Sequence, residues 1–97
     1  MDKQEILTFT NLYIQFQNKC KRIATILSEY DCDFKESRYD DWQLDYDQNK
    51  IPTNCIMDVD IYAYGCHVDC RTLYFPVELL SATDDQIHLY AQEKYKK

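Results

Sequence analysis

Apolar residues recur every three or four positions along the N-terminal segment, from about Lys3 to Glu29. The positions that fall on one side are Phe9, Tyr13, Phe16, Cys20, Ile23, Leu27 and Tyr30. This spacing predicts a long amphipathic helix. The stripe is wide and aromatic, so we expect the helix to bury it against the protein's own sheet. The alternative is a heptad-like contact that pairs two such helices in a dimer.

A period of two replaces the helical period after residue 40. Trp42, Leu44 and Tyr46 alternate with Asp41, Gln43 and Asp45, which predicts a short strand, and a polar loop over residues 47–50 follows. The second strand is clearer, because Cys55, Met57, Val59, Ile61 and Ala63 alternate with a polar row. That row is Asp58, Asp60, Tyr62 and Tyr64. One face of this strand is therefore expected to join the core and the other to remain exposed.

The C-terminal third predicts a third strand, one helical turn and a final helix. Gly65 suits a turn with a positive φ angle before a strand over about residues 68–75. The segment PVELL predicts a single helical turn. Thr83, with Gln86 three residues later, has the composition of a capping box for a helix that runs to about Lys94. We therefore expect one α+β domain over residues 1–97: a long N-terminal helix, a three-stranded antiparallel sheet and a C-terminal helix (αβββα).

Negative charge is concentrated in the middle of the chain. Between Asp31 and Asp60 there are nine acidic residues and three basic ones, whereas the acids and bases outside this segment cancel. The formal net charge of the whole protein is −6. Such acidity disfavours direct binding to nucleic acid or anionic membrane and favours a basic partner surface.

The sequence also bears on location and redox state. No apolar run approaches the roughly 18 residues of a membrane span, and the first residues lack a signal-peptide pattern. We expect a cytoplasmic protein. The five cysteines are irregularly spaced and odd in number, so we expect reduced thiols that act mostly as small buried groups.

Two groups of residues have the side-chain types of a chemical site. Asp58 and Asp60 share a strand face, as carboxylates that hold a divalent cation do, but no third ligand can be identified. Cys66, His67 and Cys70 have the ligand types of a zinc site, yet a second closely spaced ligand pair is missing. A Cys and His pair also lacks an identifiable orienting group for catalysis. We expect no enzymatic activity and no cofactor, and keep a small zinc protein using Cys66, His67, Cys70 and a further cysteine as the alternative.

The acidic middle segment is the main candidate for a binding surface. Carboxylates on an extended face present negative charge to the Lys and Arg of a nucleic-acid-binding groove, and aromatic side chains supply buried anchors. The predicted charge contacts are Asp40, Asp41, Asp45, Asp47, Asp58 and Asp60. The predicted anchors are Trp42, Tyr62 and Tyr64. An acidic but inert surface, and a dimeric interaction subunit formed through the N-terminal helix, remain as alternatives.

The last third of the chain also carries a resemblance. A strand that ends in LYFPVELL and is followed by SATDDQIHLYAQEKYKK resembles the ending of small acidic phage and mobile-element proteins of low-GC bacteria. The resemblance implies a context that includes anti-CRISPR and anti-restriction inhibitors, several of which look like nucleic-acid mimics. Taken together with the acidic segment, this context leads to the favoured hypothesis, a phage-type inhibitor in the host cytoplasm that binds the basic surface of a host defence protein such as a CRISPR effector. It assigns no individual residue.

Overall fold

The predicted order of elements is confirmed. The computed structural model describes residues 2–31, Phe34 and residues 41–95, and for Ile61 and Tyr62 only the backbone. The two helices are α1 (Lys3–Leu27) and α2 (Asp84–Lys94). The three strands between them are β1 (Gln43–Tyr46), β2 (Pro52–Ala63) and β3 (Cys66–Pro76), and a 3-10 turn (Val77–Ser81) follows β3. The protein is therefore an α+β domain with the order αβββα.

Helix α1 is buried only along its second half. Asp2 caps it by accepting a hydrogen bond from the backbone N–H of Glu5 at 2.9 Å. Burial begins at Gln17 and includes Cys20 and Leu27, because α2 and the 3-10 turn pack against this half. The prediction that the whole stripe packs on the sheet is wrong for the first half. The large apolar side chains left exposed there are Ile6, Leu7, Phe9, Leu12, Tyr13 and Ile14.

The sheet is antiparallel with β2 in the centre. Its order is β1-β2-β3, and the pairing of β2 with β3 runs from Asn54 opposite Pro76 to Ala63 opposite Cys66. Cys55, Met57 and Val59 are buried on the inner face, as predicted from the period of two. Phe75, opposite Cys55 in the register, is also fully buried. The outer face is available to solvent.

A bulge in β3 changes which residues share a face. The register shifts between Ile61 and Tyr62, where Asp69 is opposite Ile61 but His67 is opposite Tyr62, so that Val68 is the additional residue. Cys70 is opposite Asp60 and Cys66 is opposite Ala63. These two cysteines therefore occupy register positions on opposite faces. The expectation of small buried thiols is therefore wrong for these two cysteines, because both are exposed.

Local rules account for the turn and the last helix. Tyr64 and Gly65 connect β2 to β3 with φ angles of 53° and 78°, the positive values that two-residue hairpin turns require. Thr83 and Gln86 form the predicted capping box. Lys94, in the last turn of α2, is exposed, and its ammonium lies 4.6 Å from the centre of the Tyr74 ring.

Candidate binding surface

Four exposed aspartates define a surface that we call the acidic face: Asp41, Asp45, Asp58 and Asp60. Asp58 and Asp60 alternate with the buried Val59, so their side chains project from the outer side of β2. Asp45 is opposite Asn54 in the register, at a position of the same side. Successive outward positions on one strand lie about 6.8 Å apart. The sheet thus brings together carboxylates from two strands, as the sequence predicts.

Neighbouring side chains on β3 orient two of these carboxylates. Thr72 is directly opposite Asp58, and its hydroxyl donates a 2.8 Å hydrogen bond to that carboxylate. His67 places its Nε2 atom 3.1 Å from the Oδ1 atom of Asp60. The Asp60 side chain nevertheless keeps 51% of its surface exposed. These contacts fix the direction of the carboxylates while leaving them accessible to a partner.

Asp41 lies at the start of the acidic face, just before β1. The hydroxyl of Tyr13 on α1 donates a hydrogen bond to its carboxylate, and this bond raises the pKa of Tyr13 above its ordinary value. Asp41 and Asp58 line a shallow cavity of about 200 Å³ together with Gln43, Ile56 and Met57. The carboxylates of Asp41 and Asp58 therefore border the same cavity.

Two predicted contact residues lie away from this surface. Asp47 is in the loop between β1 and β2, where its Oδ1 atom accepts hydrogen bonds from the N–H groups of Asn49 and Ile51. Tyr64 is fully exposed, but it belongs to the turn at the other end of β2. Asp40 and the side chain of Tyr62 are outside the described residues. The predicted set is therefore divided between the acidic face and the two ends of the sheet.

Trp42 does not serve as an exposed anchor. Only 2% of its surface is accessible, and its ring packs against Phe75 with the ring centres 5.0 Å apart. The alternation of β1 continues back through the two residues before it and directs Trp42 to the side opposite Asp41, which is the core. The prediction that Trp42 contacts a partner is wrong. The amphipathic character of Trp gave no way to distinguish these two roles from sequence.

The geometry gives no support to the zinc alternative. Cys66 and Cys70 occupy register positions on opposite faces, and within residues 2–31, 34 and 41–95 no three His, Cys, Asp or Glu side chains are grouped as metal ligands. Cys32, which could have been the further cysteine, is outside the described residues. Desolvation, followed by the charges of Asp60 and Asp58, raises the pKa of the Cys70 thiol. Cys70 is therefore a weaker nucleophile at neutral pH than an ordinary exposed cysteine.

Sequence reasoning missed the supporting residues Thr72, His67 and Tyr13. Their roles depend on the register of β3 and on the position of α1 against β1, neither of which has a local signal. A second cavity of about 460 Å³ lies between α1, the 3-10 turn and the start of α2. Two of its lining charges neutralise each other, since Arg22 and Asp84 form a 2.6 Å ion pair.

The fold and the acidic face together define a small α+β domain with an acidic sheet surface. Comparisons of the chain with protein-family models, with curated proteins and with solved structures found no match. In the part of the chain that is described, neither helix combines the length and the apolarity that crossing a bilayer requires.

Proposed function

We propose that this protein is a binding protein of the phage inhibitor type, without enzymatic activity. It occupies the basic nucleic-acid-binding groove of a host defence protein, such as a CRISPR effector, through its acidic face. The observation that carries the proposal is the exposed pair of carboxylates, Asp58 and Asp60, held in position by Thr72 and His67 on the neighbouring strand. Lys and Arg side chains that would contact phosphates contact these carboxylates instead.

The shape of the hairpin supports this role. With 12 residues, β2 is about 40 Å long. Asp58 and Asp60 in its second half are exposed, and so are the residues of β3 opposite them. A two-stranded ribbon of this kind is narrow enough to enter a groove that is built for nucleic acid. Arg71 is opposite Val59, at a register position on the other side of the ribbon from Asp58 and Asp60.

The proposal is tested by competition for an RNA-loaded CRISPR effector. Fluorescent target DNA is displaced by the protein, and the displacement constant is measured between 50 and 300 mM salt. We expect inhibition that weakens as salt rises, because charge pairing between protein and groove is screened. The variant with Asp45→Lys, Asp58→Lys and Asp60→Lys is expected to lose inhibition by about 100-fold or more, since three attractive contacts become repulsive.

A matched variant separates the acidic face from net charge. Glu29→Lys, Glu78→Lys and Glu93→Lys change three exposed acids by the same total charge at other elements. We expect this control to stay within about fivefold of the unmodified protein, because long-range effects of exposed charges are largely screened. Equal losses in the two variants would show that only net charge matters. Absence of competition for any effector tested, or full activity of the first variant, would contradict the proposal.

A further inference from the structure

The first half of α1 is an apolar helix surface that the described part of the protein does not cover. Its six large apolar side chains are between 48% and 61% exposed, and Phe9 and Leu12 are 61% and 56% exposed. Together they leave on the order of 500 Å² of apolar surface in contact with water, of which roughly half lies on the side of the helix that carries Phe9 and Leu12. Exposed apolar surface of this extent is often a binding surface in a monomeric protein.

This surface is also free of charge. Residues 6–18 contain no acidic or basic side chain, although the protein as a whole carries a net charge of −6. The hydroxyls of Thr8 and Thr10 donate to the helix's own carbonyl groups, those of Gln4 and Ile6. Their polar hydrogens are therefore already satisfied when the surface is dehydrated. Two copies of an otherwise acidic protein can meet here without repulsion between like charges.

We propose that the first half of α1 binds the same surface of a second copy, with the two helices antiparallel. Glu5, Leu12 and Lys19 are spaced by seven residues, so they lie nearly on one line along the helix. An antiparallel pair centred on Leu12 places Glu5 of one copy opposite Lys19 of the other, twice per dimer. Phe9 and Phe16 border this line and pack across it.

The antiparallel direction follows from charge and from shape. A parallel pair would place Glu5 of one copy beside Glu5 of the other, and Lys19 beside Lys19. Both contacts are repulsive. It would also bring together the second halves of the two α1 helices, against which α2 and the 3-10 turn already pack in each copy. In the antiparallel arrangement the α2 helices and 3-10 turns of the two copies lie at opposite ends of the helix pair.

The experiment is sedimentation equilibrium of the full chain from about 1 μM to 1 mM. The expected mass rises from 11.7 kDa towards twice that value as concentration increases. Leu12→Asp introduces two facing charges at the centre of the pair and is expected to raise the dissociation constant at least 100-fold. Leu89→Asp is the matched control, because Leu89 is 58% exposed on α2, and we expect it to leave the constant within about twofold.

Charge exchange tests the direction of the helices. Glu5→Lys alone and Lys19→Glu alone are each expected to weaken the dimer about tenfold, since each creates two repulsive contacts. The double variant is expected to restore it. Glu5 and Lys19 are about 21 Å apart on one helix, so this rescue cannot arise within a single chain.

Three results would overturn the proposal. One is a mass that stays at 11.7 kDa up to 1 mM, with or without binding of the monomer to phosphatidylcholine vesicles, which would assign the surface to another occupant. Another is a dimer that Leu12→Asp leaves intact. The third is a double charge variant that remains weakened, which would exclude the antiparallel pair. None of these results depends on the acidic face, so the dimer and the proposed inhibition are tested independently of each other.

Discussion

The side-chain amide of Gln17 pairs with both backbone polar groups of Trp42. Its Nε2 atom donates to the carbonyl oxygen of Trp42 at 2.7 Å, and its Oε1 atom accepts from the N–H of Trp42 at 2.8 Å. The β1 to β2 ladder begins only at the next residue, Gln43, so the sheet does not supply these two bonds. One buried polar side chain of α1 thus replaces a strand partner and holds the entry of β1 against the helix.

We predict that Gln17→Leu lowers the free energy of unfolding by about 2–4 kcal/mol. The substitution fills a similar volume but leaves a buried N–H and a buried C=O of Trp42 without partners. Urea denaturation at low micromolar concentration measures the change. Gln15→Leu, at an exposed position of the same helix, is expected to change stability by less than about 0.5 kcal/mol. Equal effects of the two variants would contradict the pairing.

Trp42 is the only tryptophan, which makes its burial directly measurable. We predict that acrylamide quenches its fluorescence several-fold less in the folded protein than in 8 M urea, because the ring is enclosed by Phe75 and the rest of the core. The emission maximum is expected to move to longer wavelength on unfolding. Quenching as strong in the folded protein as in urea would show that Trp42 is exposed and could contact a partner.

Local sequence signals were sufficient for part of the fold. The Thr83 and Gln86 pair predicts the capping box because both hydrogen bonds are made within one turn. Gly65 marks its turn because a positive φ angle costs glycine little. The alternation around Val59 predicts that Asp58 and Asp60 are exposed. In each case the physical cause lies within a few residues of its signal.

Other features depend on contacts that no local pattern reveals. Nothing in the composition of β3 identifies Val68 as an additional residue, yet the bulge places Cys66 and Cys70 at positions on opposite faces. Phe9 and Cys20 belong to the same helical stripe, but only Cys20 is covered, because burial depends on how far the other elements extend. The supporting residues of the candidate site could be found only after the register of β3 and the position of α1 were known.

The cysteines are predicted to differ in reactivity with iodoacetamide. Cys20 and Cys55 are fully buried in mutual contact, and hydrogen bonding with Cys55 together with burial raises the pKa of Cys20. We expect both to remain unmodified until urea unfolds the protein. Cys66 and Cys70 are expected to react in the folded state. Peptide mapping by mass spectrometry separates the sites, and rapid labelling of Cys55 in the native protein would contradict its burial.

A carboxylate variant extends this prediction to the acidic face. The charges of Asp60 and Asp58 contribute to the raised pKa of Cys70, so removing one of them increases the thiolate fraction at neutral pH. We predict that Asp60→Asn accelerates labelling of Cys70 at pH 7.5 several-fold. Glu78→Gln, at an exposed position of the 3-10 turn, is the matched control and is expected to leave the rate unchanged.

Stability at alkaline pH is expected to depend on Tyr95. Burial, followed by the neighbouring Tyr90 and Asp31, raises the pKa of Tyr95 from 10 to about 12. The unfolded chain therefore loses this proton at lower pH than the folded protein. The stabilising contribution is complete below pH 10 and is lost as the pH rises to 12.

Urea denaturation between pH 9 and pH 12 measures this dependence. Tyr95→Phe is expected to reduce the alkaline loss of stability by on the order of 1 kcal/mol, a modest amount because the ring is partly solvated. Tyr64→Phe, at a fully exposed tyrosine, should leave the loss unchanged. If both variants behave like the unmodified protein, another group causes the alkaline transition, and the burial of Tyr95 does not control it.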